Sequence, residues 1–296
     1  MTVTIAPGSP EWMRTITPSK VAAILGISRY QSQFALWHQM AGHTPAEEPK
    51  DEFTAGHAFE PALAQLWKSE HPGWRLSPGE VQIARTDLGF ATFATIDRRA
   101  SRGRARRVVE FKTARSLEDW GDEFTDQAPT DYVAQVQWQM HVTRFTTEPA
   151  HLMVIGPYFR WHTYEIEYQP ELCAAIEDRC RSWIASLDAG VEPELDDSVA
   201  TYDCVRQLHP DIDPGSEVDV SPSIAAEYLA ADTEYKSAEK RLRGAKSQLL
   251  NVMKRARLAH CGDVKVATRA PHARGGVALK RNAKADAESV TGVSAA

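Results

Sequence analysis

Two neighbouring runs in which apolar and polar residues alternate constrain the fold of this chain most. Alternate residues share one face of an extended strand, so the first run, residues 90–97, carries Asp97 at the end of one face. In the second run, residues 108–113, Glu110 and Lys112 share a face while the residues between them point toward a core. Two adjacent strands could therefore bring two carboxylates and an ammonium group to one point.

This group of charges has two interpretations. Carboxylate oxygens suit Mg²⁺ or Mn²⁺, and such ions polarise a phosphate, lower the pKa of water and stabilise a leaving oxygen, so the pattern fits a phosphodiesterase. The alternative is a surface hairpin whose charges are solvated, because an Asp followed by Glu-x-Lys arises readily by chance. The spacing alone leaves both open.

A third carboxylate borders the apolar stripe of a helix expected at residues 56–70. Glu60 lies at the edge of that stripe, where a carboxylate is costly unless a partner such as a metal compensates it. The alternative is a partly exposed glutamate in the first turns, which the helix dipole favours.

The composition fits a soluble protein with a substantial core. The chain has 296 residues, 43% of them hydrophobic, which suffices for one large or two small domains. We find no apolar run of the roughly 20 residues that a membrane span needs, and no signal-peptide pattern, so we expect a cytoplasmic protein. Four cysteines without a CxxC pair indicate neither a zinc ribbon nor a disulfide framework, and Cys173 and Cys180 fit the core of a helix.

Charge is divided unevenly along the chain. Residues 1–235 carry a net charge of −16, and residues 236–296 carry +10. Contact with nucleic acid would then rely on the basic end, on local basic patches or on metal ions, whereas an equally open alternative is that the basic end neutralises the acidic body. One such patch is residues 98–107, which hold six arginines and no acid and could clamp a DNA backbone or form a solvated turn.

Periodicity predicts the remaining elements of the body. Two short helices, divided near Gly26, are predicted at residues 17–40. A helix is also predicted at residues 129–142, where Tyr132, Gln135 and Gln139 share a face, and a further helix at residues 170–187. Additional strands are expected at residues 80–84, 150–155 and 160–168.

The C-terminal part follows a different pattern. Residues 188–221 are rich in Asp, Pro, Gly and Ser and predict a loose connection. Apolar residues then recur at spacings of four and three from Ile224 to Val252, which predicts a long helix with a seam for a partner helix. The partner is either the helix at 170–187 or another subunit. A hairpin is predicted at residues 262–282, and disorder is predicted from Ala283 onward.

Four blocks of the chain together resemble the YqaJ-like viral recombinase group, the phage lambda exonuclease type of alkaline nuclease in the PD-(D/E)xK superfamily. The blocks are residues 12–26 (WMRTITPSKVAAILG), residues 56–67 around Glu60, Asp97 with residues 110–112 (EFK), and residues 132–144 (YVAQVQWQMHVTR). They extend over about residues 12–190, and the last block is the most distinctive.

The resemblance implies a fold and an organisation of domains. It implies an α/β (α+β) fold class with a central mixed β-sheet flanked by helices, a restriction-endonuclease-like core and a C-terminal helical extension. We expect the nuclease core at 1–190, a linker or loose connection at 191–221, a heptad-patterned helix at 222–258 and a basic, partly disordered tail at 259–296.

The resemblance also implies site residues and a cofactor. Glu60, Asp97, Glu110 and the main-chain carbonyl of Phe111 would ligate Mg²⁺ or Mn²⁺, with two ions expected. Lys112 would orient or activate the attacking water, and Gln135 and Tyr132 would line the site.

Contacts to the 5′ phosphate of a DNA end are implied for Arg14, Ser19 and Thr95. Arg14 aligns with the family only through a small gap relative to Ser19. A second departure is Ile96-Asp97-Arg98, which stands where the family usually has Pro-Asp-Gly and puts the turn geometry in question.

The implied function is a 5′ to 3′ exonuclease that acts on ends of linear double-stranded DNA and leaves 3′ single strands for recombination. The implied partners are a second copy in a ring-like homo-oligomer and a phage single-strand annealing protein, in the host cytoplasm if the gene is phage-borne. Two alternatives remain: an endonuclease or DNA-end repair nuclease with the same site, and a non-catalytic DNA-binding homologue.

Overall fold

The computed structural model describes residues 5–6, 8–45, 51–122, 125–272 and 275–291, with the side chains of residues 52 and 53 left out. The chain divides into two compact units, residues 1–212 and residues 213–296. We describe each unit by itself.

Helices begin and end where local chemistry favours it. Pro18 stands in the first turn of the second helix, Ser32 caps the third through its side chain, and Gly42 ends the third in the left-handed conformation. The described helices are α1 (Pro10–Met13), α2 (Pro18–Ile24), α3 (Gln33–Ala41), α4 (Asp51–Glu70), α5 (Thr130–Thr143), α6 (Pro170–Ala189), α7 (Val199–Leu208), α8 (Pro222–Met253) and α9 (Glu288–Thr291).

The described strands form three separate sheets. They are β1 (Arg75–Leu76), β2 (Val81–Arg85), β3 (Thr92–Ile96), β4 (Arg98–Arg102), β5 (Ala105–Thr113), β6 (Ala150–Ile155), β7 (Trp161–Ile166), β8 (Leu258–Cys261), β9 (Val264–Pro271) and β10 (Val277–Arg281). A five-stranded sheet has the order β1-β4-β5-β6-β7, β2 pairs with β3, and the second unit holds a sheet of order β10-β9-β8.

The five-stranded sheet is mixed. β5 and β6 run parallel, and the other neighbours are antiparallel. A parallel pair needs a crossover connection, and α5 provides it between β5 and β6. The expected fold class, a mixed sheet flanked by helices, is therefore confirmed.

Each face of this sheet packs against a different helix. Val108 of β5 and Leu152 of β6 join Val136 and Met140 of α5 in one apolar cluster. On the opposite face Val109, Phe111 and Met153 join Leu63 and Trp67 of α4. Successive residues of β5 thus alternate between α5 and α4, as the sequence predicted, and this alternation directs Glu110 and Lys112 toward the side of α5.

A third cluster joins helices of the first unit. Residues of α2, α3, α5 and α6 pack together, with Trp37, Trp138 and Trp183 among their buried side chains. Cys173 and Cys180 of α6 are buried as expected. Burial raises the pKa of each of these two thiols to about 12, so both are unreactive core residues.

Three expectations about the C-terminal part need correction or extension. Residues 199–208, inside the expected linker at 191–221, form α7 with Thr201 and Cys204 buried, and the Thr201 hydroxyl donates to Ser32 at the start of α3 over 2.7 Å. The expected hairpin at 262–282 is present as β9 and β10, but β8 adds a third strand. Residues 283–291, expected to be disordered, form turns and α9, while 292–296 lie outside the described residues.

The long helix exists over 32 residues, Pro222–Met253, with Ser221 as its cap. Its C-terminal end packs on the sheet of its own unit, where Met253 and Leu249 contact Ala259 and Ala267. The apolar side of α6, one of the two partners considered above, is already buried in the core of the first unit. Among the described helices, none is both long enough and apolar enough to cross a membrane.

Truncating Ile176 on α6 should destabilise the first unit strongly. Ile176→Ala leaves a cavity at a position with 1% exposure, so we expect a loss of about 2–5 kcal/mol in the free energy of unfolding. The matched control Leu172→Ala, on the same helix at 37% exposure, should cost under about 1 kcal/mol. All eight tryptophans lie in the first unit, so tryptophan fluorescence in a urea titration measures its unfolding. Equal losses in the two variants would contradict this placement of α6.

Candidate functional site

Asp97 lies at the bend where the chain leaves one sheet and enters another. β3, which precedes it, pairs with β2, and β4, which follows it, pairs with β5. β3, which ends just before Asp97, is therefore not paired with β5, which carries Glu110, contrary to the two adjacent strands that the alternation suggested. The bend itself brings the carboxylate to the site.

An open strand edge receives this carboxylate. The pairing of β4 with β5 ends at Arg98 and Val109, so among the described strands none pairs with β5 on this side beyond Val109. The Asp97 carboxylate takes that place, because its Oδ2 accepts the Phe111 main-chain N–H over 2.7 Å. A side chain thus replaces one hydrogen bond of a sheet and fixes Asp97 beside residues 110–112.

Three donors surround the buried carboxylate of Glu110. Its Oε1 accepts from Lys112 Nζ at 2.6 Å and from Gln135 Nε2 at 2.7 Å. Its Oε2 accepts from Gln139 Nε2 at 2.7 Å. Only 4% of the Glu110 side chain is exposed, and a buried carboxylate needs such partners to offset its lost hydration. The structure therefore brings together Glu110, Lys112 and Gln135, three of the residues that the sequence singled out.

Gln139 is the partner whose role the sequence did not predict. It shares a helix face with Gln135 because it follows four residues later, and that spacing was visible in the sequence. The structure buries it completely and adds a second hydrogen bond, from Nε2 to the main-chain oxygen of Thr95 over 3.1 Å. Gln139 thus connects Glu110 to the end of β3, two residues before Asp97.

The charges of the cluster influence one another strongly. Burial, followed by repulsion from Glu110, holds the pKa of Asp97 well above its ordinary value, and Glu60 adds to this rise. Burial alone would lower the pKa of Lys112, but attraction to Glu110 and Asp97 outweighs that effect and raises it. Lys112 is consequently an ammonium ion at neutral pH.

Glu60 reaches the cluster from α4, on the opposite face of the sheet. Its Oε2 lies 3.6 Å from Arg98 Nη1, and the same Arg98 nitrogen donates to the main-chain oxygen of Asp97 over 2.5 Å. Its Oε1 lies 2.7 Å from His57 Nδ1. The Glu60 side chain is 15% exposed, so it belongs to the edge of the site, as the apolar stripe of its helix indicated.

His57, Glu60 and Glu80 form a second group of potential ligands. One ligand atom from each lies within 4.8 Å of the others, an arrangement that could hold a metal ion. Glu80 directly precedes β2, and His57 lies one turn before Glu60 on α4. Nothing in the spacing of Glu80 and Glu60 along the chain signalled that they would meet, because strand pairing and helix packing decide it.

Ile96 and Arg98, which stand where the family usually has proline and glycine, are both buried beside the site. Ile96 is fully buried, and Arg98 is 6% exposed. The guanidinium group of Arg98 stacks 5.8 Å from the Phe111 ring centroid and faces Glu60. The residue that replaces the expected glycine therefore fills the space beside the carboxylates and supplies a positive charge to them.

Tyr132 lines the cluster from the first turn of α5. Lys112 Nζ lies 5.1 Å from its ring centroid, and its hydroxyl is 3.3 Å from that of Tyr30. Burial, together with that hydrogen bond, raises the Tyr132 pKa to about 12. The phenol is thus neutral at physiological pH and can donate a hydrogen bond.

The residues implied in phosphate binding occupy two places. Arg14 lies in the segment that joins α1 and α2, and Ser19 lies in the first turn of α2. The joining segment is tied to β3, because the Thr92 hydroxyl donates to the Ile16 carbonyl over 2.8 Å. Arg14 pairs with Asp188 at 2.6 Å, and the Ser19 hydroxyl lies 3.1 Å from that of Thr17. Thr95 lies on β3 and receives a hydrogen bond from Gln82 over 3.3 Å.

Lys20, which the sequence did not mark, organises the segment that carries Arg14. Its buried ammonium group donates to the main-chain oxygens of Trp12, Met13 and Thr15 at 2.5, 3.1 and 2.8 Å. Burial lowers the Lys20 pKa to about 7. Its only sequence signal was a lysine placed among apolar residues on α2.

The arginine-rich segment is partly structural. Arg107 is buried, contacts His151 and lies 3.3 Å from Glu148. Arg102 stacks over Trp74 at 4.6 Å. Arg99 and Arg104 are exposed on β4 and the turn that follows it, so part of the positive charge of the segment remains accessible to solvent.

Comparison with known proteins identifies a matching family model and a relative. Residues 12–146 match the model of the YqaJ-like viral recombinase domain. The chain is also similar to the uncharacterized protein YqaJ of Bacillus subtilis (strain 168), with 24% identity over 266 residues, which are 86% of this chain and 81% of that protein.

Solved structures with a similar arrangement include the alkaline exonuclease LHK-Exo from Laribacter hongkongensis. That structure has a TM-score of 0.47 and 17% identity, and the similarity covers 60% of this chain and 90% of that chain. The complex of LHK-Exo with dAMP gives a TM-score of 0.48, with the same identity and coverage.

The elements from α2 to α5, which build the cluster, lie within residues 12–146, the part of the chain that matches the YqaJ-like viral recombinase domain. This match confirms the family resemblance seen in the sequence.

Gln139 should stabilise the fold through Glu110. Gln139→Leu keeps a similar volume but leaves Glu110 Oε2 without its donor, so we expect a loss of about 1–3 kcal/mol in the free energy of unfolding. In a Glu110→Leu background the same change should cost far less, because no carboxylate remains to be compensated. Urea titrations of the four proteins measure this coupling. Equal costs in both backgrounds would show that Gln139 contributes only through packing.

Proposed function

We propose that this protein is a metal-dependent 5′ to 3′ exonuclease that acts on linear double-stranded DNA and leaves 3′ single strands for recombination. The observation that carries the proposal is the arrangement of Glu110, Asp97 and Lys112 at the open edge of β5. The carboxylates of Asp97 and Glu110 repel each other, and this repulsion contributes to the raised pKa of Asp97. Such a pair destabilises the fold by itself and is suited to binding a cation.

The donor set fits a hard divalent ion. Asp97, Glu110 and Glu60 offer carboxylate oxygens, the ligands that Mg²⁺ and Mn²⁺ prefer. The N–H and C=O of one strand residue point toward the same edge, so the Phe111 carbonyl, whose N–H binds Asp97, is also directed to this side. We propose these four groups as the ligands, with Mg²⁺ or Mn²⁺ as the metal and two ions as the number. A bound ion would polarise the phosphate and lower the pKa of water.

The neighbouring side chains support the chemistry in distinct ways. Lys112, held as an ammonium ion, would orient the attacking water and stabilise negative charge on the phosphate. Gln135 holds Glu110 Oε1 through its amide without adding charge to the site. Tyr132 can donate a hydrogen bond from its neutral hydroxyl, and Arg98 partly neutralises the carboxylates beside it.

We assign recognition of the DNA end to Arg14, Ser19 and Thr95. Arg14 is half-exposed and held by an ion pair to Asp188, a contact that a phosphate could replace. Ser19 is exposed in the first turn of α2. A 5′ phosphate held there would select ends over interior sites, and hence an exonuclease over an endonuclease.

Two alternatives remain open to experiment. A DNA-end repair nuclease or endonuclease could use the same carboxylates and lysine. A non-catalytic homologue would bind DNA without cleavage, but such a protein has no chemical need for Lys112 and the glutamines that compensate Glu110.

Linear duplex DNA should be degraded in Mg²⁺, whereas closed circular DNA should remain intact. Lys112→Ala should reduce cleavage by roughly 10²–10⁴-fold, because it removes a positive charge that acts at the reacting phosphate, while DNA binding measured without cleavage changes little. Lys68→Ala, at an exposed lysine of α4, is the matched control and should leave the rate unchanged. Digestion of supercoiled circles would favour the endonuclease, and full activity of Lys112→Ala would refute the mechanism.

Removal of the 5′ phosphate from a duplex end should slow digestion. Ser19→Ala should reduce the difference in digestion rate between substrates with and without this phosphate. Initial rates on matched substrates with and without the phosphate measure this. Ser182→Ala, on the exposed side of α6, serves as the control and should preserve the difference. If both ends are digested at equal rates by the unmodified protein, the assignment of Arg14, Ser19 and Thr95 is wrong.

A further inference from the structure

α8 carries an apolar seam that its own unit does not cover. The seam consists of residues at alternating spacings of four and three: Ile224, Tyr228, Ala231, Tyr235, Ala238, Leu242 and Ala245. Its large side chains are exposed to between 54% for Leu242 and 71% for Tyr228. Spacings of four and three keep residues on one side of a helix and match a second helix packed alongside.

Large and small side chains alternate along the seam from Tyr228 to Ala245. Tyr228, Tyr235 and Leu242 occupy one heptad position, and Ala231, Ala238 and Ala245 occupy the other. Facing layers pack best when a large side chain meets a small one. A partner must therefore present small residues where α8 presents large ones.

Charge is polarised along the same helix. The N-terminal half, residues 222–237, carries Glu227, Asp232 and Glu234 against a single lysine. The C-terminal half, residues 238–253, carries four basic residues against Glu239. A partner helix that complements α8 must be basic beside the N-terminal half and acidic beside the C-terminal half.

We propose that α8 pairs with α8 of a second copy of this chain in an antiparallel, two-fold symmetric coiled coil. A second α8 that runs in the opposite direction presents small residues opposite the large ones, and its basic half lies beside the acidic half of the first helix. Antiparallel helices pack one heptad position against the other, and a single register sets Tyr228 against the partner's Ala245 and Tyr235 against the partner's Ala238. Leu242 then meets the partner's Ala231, and every alanine of the seam faces a large side chain.

The same register sets one pair of opposite charges and one pair of like charges beside the seam. Glu234 flanks the seam next to the partner's Arg241, and the two-fold axis repeats this contact. Asp232 lies near the partner's Glu239, but Asp232 is already paired with Lys236 of its own helix at 2.6 Å. The opposed helix dipoles also favour the antiparallel direction.

A parallel pair in register is disfavoured both by the packing of the seam side chains and by the charges beside the seam. It would set tyrosine against tyrosine and alanine against alanine, so that crowded layers alternate with loose ones. The flanking pairs, Glu227 with the partner's Asp232, Glu234 with the partner's Glu239 and Arg241 with the partner's Lys246, would all repel.

Sedimentation velocity of the full chain tests the proposal. The unmodified protein should dimerise, and Ala238→Glu should raise the dissociation constant at least about 100-fold, because it buries an unpaired charge in the seam. Ala230→Glu, on the outer side of the same helix, is the matched control and should leave the constant unchanged. Circular dichroism should show the same helix content in all three proteins.

Charge reversal tests the direction of the pair. Glu234→Arg should weaken the dimer roughly tenfold, because it creates two repulsive contacts with Arg241, and adding Arg241→Glu should restore the affinity to within about threefold. Tighter association of Glu234→Arg would indicate parallel pairing and overturn the proposal. A chain that stays monomeric at about 100 µM, or an oligomer that Ala238→Glu does not affect, would also overturn it.

Discussion

The hydrogen bond from the Phe111 N–H to the Asp97 carboxylate is the contact on which the candidate site depends. It joins the chain at the point where β3 ends to the strand edge that β4 leaves open. The pairing of Arg98 with Val109 already places Asp97 near Glu110, and this hydrogen bond fixes the direction of the Asp97 carboxylate. Strand pairing and one side-chain contact to the main chain together turn a change of sheet into a cluster of charges.

Burial makes this cluster chemically unusual. Glu110 accepts hydrogen bonds from one ammonium and two amide groups, whereas burial and repulsion from its carboxylate neighbours raise the pKa of Asp97. The two carboxylates therefore have different environments although they lie side by side. Donors that carry no charge, Gln135 and Gln139, stabilise Glu110 without neutralising it, which preserves the negative potential that a cation would use.

Much of the architecture could be predicted from the sequence. The two helices divided near Gly26, the strand at 150–155, the helix that carries Gln135 and the long helix before Met253 all appear where the periodicity placed them. Periodicity succeeds there because each segment buries one face, and burial imposes the spacing. It failed for residues 199–208, because the Asp, Pro, Gly and Ser residues on either side concealed a helix that contacts α3.

The sequence by itself determined which residue types could form the candidate site, since Glu110 and Lys112 lie on a strand, and Asp97 at the end of another, whose alternation is local. Only the tertiary structure decided that Asp97 reaches the cluster through a bend, that Gln139 is a full partner of Glu110, and that Glu60, Arg98 and Glu80 converge at one edge. The physical reason is range. Alternation and helical spacing act over a few residues, whereas sheet order and helix packing join positions that are tens of residues apart in the chain.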